Sequence, residues 1–119
     1  MDLKQAPEQT GLPPAQPVEL VALVAYQDGA VVSRTLIKKS GGSVTVFAFD
    51  AGQALSEHTA PFDAIVQVLD GDVDISVGGN QVWTHTGQTV LLPAGIPHAL
   101  SARTRFKMAL IMVRDSAST

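Results

Sequence analysis

No cysteine occurs in this 119-residue chain. Disulfides, thiolate metal sites and cysteine nucleophiles are therefore excluded together. Charge is sparse as well: 16% of residues are Asp, Glu, Lys or Arg, and the net charge is −3. The few basic residues are scattered, which argues against a surface that follows nucleic-acid phosphates. Lys38-Lys39 is the only adjacent basic pair and reads as a solvated strand end. Long hydrophobic runs are missing too. The longest, Val18 to Tyr26, contains Glu19 and falls far short of the roughly 20 residues that a spanning helix needs. The N-terminus shows no basic stretch followed by an apolar one, so no secretory signal and a cytoplasmic location are expected. Neither a serine on a nucleophile elbow nor a glycine-rich phosphate loop opening a helix is found.

What is present is a β pattern in a chain that is 45% hydrophobic and of single-domain size. Residues 1–17 carry Pro7, Pro13, Pro14 and Pro17 among polar neighbours and read as an extended N-terminal arm. Residues 18–114 read as one domain and 115–119 as a tail. Within the domain, strands are expected over Val18–Tyr26, Ala30–Lys39, Ser43–Asp50, Gln53–Ala60, Ala64–Leu69, Asp72–Val77, Gln81–His85, Thr89–Pro93, Ala99–Ala102 and Phe106–Arg114. Turn chemistry separates them, most clearly Asp28-Gly29, Ser40-Gly41-Gly42, Asp70-Gly71 and the hairpin signal Gly78-Gly79-Asn80. In Ser43–Asp50, Val44, Val46 and Ala48 alternate with Thr45, Phe47 and Phe49, so both faces are apolar enough for burial. Short strands at this spacing, with no capped 3.6-residue period, indicate an all-β sandwich or barrel.

Two histidines stand out. The run Gly87-Gln88-Thr89-Val90-Leu91-Leu92-Pro93-Ala94-Gly95-Ile96-Pro97-His98 is a strand that enters a Pro-x-Gly turn and then presents an imidazole. His58 sits upstream in Gly52-Gln53-Ala54-Leu55-Ser56-Glu57-His58-Thr59-Ala60-Pro61. Strict alternation places Ala54, Ser56, His58 and Ala60 on one face, a small-residue surround with room for a ligand or water. His85, just before a turn, reads as exposed and structural. Met108, Leu110 and Met112 share a face and either line a pocket or fill the barrel.

With these residues the chain resembles a small single-domain cupin of the RmlC-like superfamily. Gly52, His58 and Gly71 match the spacing of that family's first motif, and Gly87, Pro93, Gly95 and His98 match its second. The resemblance covers about residues 30–114 and implies a double-stranded β-helix, the jelly-roll barrel. It also implies one divalent metal (Mn, Fe, Ni or Zn) held by two histidines and a glutamate of the first motif and one histidine of the second. Here Ala60 stands at the second histidine position, Ala64 at the glutamate position and Ala102 at a further polar position, an asparagine, of the second motif. His58 and His98 alone give a weak metal site, because protein metal sites usually need three or four ligands. Asp63 and Gln67 are the nearest substitutes, but alternation sends both away from the cavity.

The expected function is a small-molecule pocket centred on His58 and His98, with Ser56 and Met108 as further ligand contacts and metal binding weak or absent. A metal-dependent dioxygenase or isomerase and a non-catalytic dimerisation module are the alternatives, so enzymatic activity stays open. A metal-free isomerase with His58 as base would need an acid partner, and the sole tyrosine, Tyr26, lies outside the motifs. A homodimer is expected, because an apolar edge strand at 18–25 needs cover. Neither nucleic acid nor membrane is an expected partner.

Overall fold

β-Branched and aromatic residues suit a pleated, half-buried surface. In the computed structural model, which describes residues 11–115, nine of the ten expected segments are strands. They are β1 (Val31–Lys39), β2 (Gly42–Phe49), β3 (Ala54–His58), β4 (Asp63–Asp70), β5 (Asp72–Val77), β6 (Asn80–His85), β7 (Thr89–Leu92), β8 (His98–Ser101) and β9 (Phe106–Val113). All pairings are antiparallel. One sheet has the order β1-β2-β9-β4-β7 and the other β3-β8-β5-β6. The chain alternates between the sheets in the jelly-roll manner, and the inner faces share one core.

That core is filled with Phe49, Phe106, Ile75, Leu92, Leu100, Met108 and a set of valines. The rings of Phe49 and Phe106 stack with centroids 4.6 Å apart. The expected two-sided burial of β2 is realised. Phe47 and Phe49 belong to the inner core, while Val46 and Ala48 form a second cluster with Val24, Leu36 and Ala109 on the outside of the five-stranded sheet.

The expected strand over Val18–Tyr26 is not formed. Leu20–Ala22 makes one 3-10 turn, with the Leu23 N–H donating to the Leu20 carbonyl. Residues i and i+3 eclipse in such a turn, so Leu20 and Leu23 fall on one side. Together with Val24 and Tyr26 they cover the second cluster. A strand would send alternate apolar side chains away from that patch, which is why the turn is preferred. The edge-strand argument for a homodimer does not apply to this segment. Of the expected arm, residues 1–10 lie outside the described residues, as do 116–119 of the tail. Gly11 runs beside β1, its N–H donating to the Thr35 carbonyl at 2.7 Å. No helix among the described residues is long and apolar enough to cross a membrane.

Gly71, one of the motif glycines, joins β4 to β5 with φ +78°. A Cβ there would collide with the Arg105 carbonyl oxygen and crowd the Phe106 backbone at 3.0 Å. Gly79 has a similar φ of +86° and open space around it. Urea unfolding is therefore expected to show a loss of about 2–3 kcal/mol for Gly71→Ala, against about 1 kcal/mol for Gly79→Ala. Equal losses would mean that backbone conformation alone sets the cost.

Candidate functional site

His58 closes β3 and His98 opens β8, and the two residues are direct cross-strand partners in the four-stranded sheet. They stand side by side rather than on opposing walls of the barrel. The register explains how. Leu55 pairs with Leu100 and His58 pairs with His98, so β3 carries one more residue than β8 between the two pairs. This bulge resets the alternation. Leu55 and His58 share the inward face, and Ser56, expected beside His58, turns outward. Ser56 there lines a cleft of about 400 Å³ with Ala54, Asp74, Ser76, Gln81, Ala99 and Ser101.

The two rings meet edge to face, with centroids 4.5 Å apart and planes at 67°. His58 Nδ1 lies 2.9 Å from the Ser56 carbonyl oxygen, and His98 Nδ1 lies 3.3 Å from that of Ile96. A carbonyl can only accept, so each Nδ1 carries the hydrogen and each Nε2 is left for a ligand. Each ring is thus oriented by the main chain of its own strand. His98 is only 7% exposed, whereas His58, on the same inward face but at the end of its strand, is exposed. Burial pushes the His98 pKa below 6.5; the Ile96 carbonyl opposes this, and the neighbouring His58 adds to it.

The second-motif turn is fastened from both sides. The Gly95 N–H donates to the Ala60 carbonyl at 2.8 Å, and the Ala94 N–H donates to Asp63 Oδ1 at 2.9 Å. Asp63 therefore holds the turn instead of pointing into the barrel. Ala64 is buried between Leu92 and Met112, and Ala102 is buried with its backbone bonded to Gln53. Gln67 is exposed on the outer face. His85 is exposed, paired to Asp72 at 2.9 Å and set edge-on against Trp83. Met108 is fully buried among the stacked rings at mid-barrel, where it fills the core.

A metal of the kind the family holds does not fit this donor set. Two imidazoles converge, and methyl groups stand where the other ligands would be. No group of three or more His, Cys, Asp or Glu side chains suited to a metal occurs among the described residues.

Sequence reasoning missed a second group at this end of the barrel. Leu92, Ala64, Met112, Ser43 and Lys38 form one continuous cross-strand row on the five-stranded sheet. Leu92 leads through the Pro93–Gly95 turn to His98, so this row and the histidine pair lie at the same barrel mouth. The adjacency of Lys38 and Lys39 was the one available signal, and only the topology brings Arg114 to them.

Comparison with known proteins agrees with this architecture. The Cupin_2 family, described as a cupin domain, matches residues 45–114. A crystal structure of a conserved protein of unknown function from Streptococcus pyogenes is 35% identical, covers 89% of this chain and 93% of its own, and has a TM-score of 0.85. A cupin superfamily protein from Desulfitobacterium hafniense is 26% identical, with coverage of 88% and 96% and a TM-score of 0.83. A pyrimidine/purine nucleoside phosphorylase from Geobacter sulfurreducens is 28% identical over 76% of this chain and 79% of its own.

The lowered His98 pKa carries a stability consequence. Below pH 6.5 the unfolded chain takes up a proton that the buried ring resists, so stability present above 6.5 falls as the pH drops through the folded pKa. Replacing His98 with Gln is expected to flatten the stability profile between about pH 7 and 5. An NMR titration placing the His98 midpoint at or above 6.5 would contradict this.

Proposed function

The chain belongs to the cupin family, and on that premise we propose that it binds a small polar organic molecule at the barrel mouth, held by His58 and His98 without a four-ligand metal centre. The observation that carries this reading is the oriented pair: two rings 4.5 Å apart, each tied at Nδ1, each with Nε2 free. Backbone-fixed rings lose little freedom when a ligand arrives, so each hydrogen bond they make retains more of its value. Buried and unprotonated near neutral pH, His98 offers Nε2 as an acceptor to a ligand hydroxyl or amide. His58, exposed beside it and tied at Nδ1 to the Ser56 carbonyl, offers its own Nε2 to the same ligand.

A fragment library screened by thermal shift tests the reading. Fragments that stabilise the wild type should lose that effect in both His58→Ala and His98→Ala. A site filled to a hundred times its Kd adds about 2.7 kcal/mol, well within range of the measurement. Metal analysis of protein purified without chelator accompanies it. Stoichiometric metal that disappears in both variants would overturn the metal-free reading.

A second reading, phosphorolysis of a nucleoside, is favoured by the similarity to the Geobacter sulfurreducens protein and by the cationic residues at the same mouth. A phosphate oxygen would attack the anomeric carbon, and the glycosidic bond would break with its electron pair leaving on the base, which takes up a proton. Incubation with purine and pyrimidine nucleosides, with and without phosphate, decides it by chromatography. Phosphate-dependent release of free base supports the reading, and no release from any of them removes it.

A further inference from the structure

A cleft of about 440 Å³ opens at the barrel mouth between the β1–β2 turn and the end of β9. Its lining joins three cations, Lys38, Lys39 and Arg114, to an apolar pair, Phe62 and Met112. The Arg114 guanidinium lies over the Phe62 ring, 5.5 Å from its centroid, and the Arg114 N–H donates to the Gly41 carbonyl at 2.8 Å. Backbone and side chain of Arg114 are thus both anchored at the cleft. Lys38 and Lys39 take part in none of the ion pairs described. In the cleft wall Ser43 is 9% exposed, and its buried Oγ has no hydrogen-bond partner among the described residues. A buried hydroxyl without a partner is unfavourable in a folded protein unless something supplies one.

We propose that this cleft is an anion site, taking an oxyanion head group on a small apolar body. The ammonium groups and the guanidinium neutralise the head, the guanidinium offering a planar pair of donors. The Ser43 hydroxyl donates to one of the oxygens after a χ1 rotation and so gains the partner it lacks. Phe62 and Met112 cover the body. The Gly42 position keeps the wall tight: a Cβ there would collide with the Met112 carbonyl oxygen. The proposal is independent of what the histidines hold, because none of its residues touches either ring among the contacts described.

Calorimetric titration at low ionic strength, with inorganic phosphate, phenyl phosphate and benzoate as probes, tests it on the full chain. Phenyl phosphate should bind at least as tightly as phosphate, and both should weaken as salt rises. Lys38→Gln with Arg114→Gln should weaken both phosphate probes by about tenfold or more. Phe62→Ala should weaken phenyl phosphate and leave inorganic phosphate unchanged. Ser43→Ala should raise the Tm of the unliganded protein while weakening phosphate, a combination that a purely structural serine would not give. Comparing phenyl phosphate with benzoate separates a phosphate head from a carboxylate head, and binding of either supports the site. Two results would overturn it: no binding of any probe at millimolar concentration, or phosphate binding that survives the double cation variant and disappears in His98→Ala.

Discussion

One extra residue in β3 decides where the imidazole of His58 points. Between Leu55 and His58 the strand advances three residues while its partner advances two, and the pleat restarts on the other foot. Were these same residues to alternate regularly, His58 would share the solvent face with Ser56, and His98 would stand alone at the end of the core. With it, Leu55 packs inward against the shared cluster and His58 meets His98 ring to edge. The bulge also frees the Ser56 carbonyl from regular ladder duty and leaves it to accept from the very ring it redirects. Position, orientation and tautomer of the candidate site therefore depend on a local break in pairing.

The rest of the barrel supplies rigidity rather than chemistry. The core is filled from Val73 and Phe106 up to Leu92 by apolar groups. Outside the five-stranded sheet, the segment around the 3-10 turn is held by polar ties as well as by its leucines. Tyr26 donates its hydroxyl to Asp70, Lys107 reaches the Val21 carbonyl, and Arg105 bridges Asp28 and Asp50. The Arg105 guanidinium and the Gly29 N–H hold the Asp50 carboxyl down at about 2. Most of these groups are only partly shielded from water, so their contribution is mainly to fix which way the segment lies.

The strand series was legible because turn residues mark strand ends. The motif resemblance put His58 and His98 in one pocket, but as opposed walls; that they are neighbours on paired strands was not legible. The bulge was not, since Ser56 and Glu57 look like any half-exposed strand residues and an insertion of one leaves no compositional trace. Met108 shows a related limit: alternation gives the face a side chain occupies but not its depth along the barrel axis. It lies level with Phe47 and Val68, where the barrel is full. Val18–Tyr26 was misread because an apolar run alone does not distinguish a strand from a turn that gathers residues three apart. Lys38 and Arg114 meet only through the closure of β1, β2 and β9, which no local pattern encodes.

Charge placement at the mouth then bears on which ligands the fold favours. A divalent cation at the histidine pair would find alanines where carboxylate or imidazole donors would balance it, and three cationic side chains at the same end of the barrel. Positive neighbours disfavour a bound cation and favour an anion approaching from solvent. The alanines at the metal-ligand positions and the cationic residues at the mouth therefore act in the same direction.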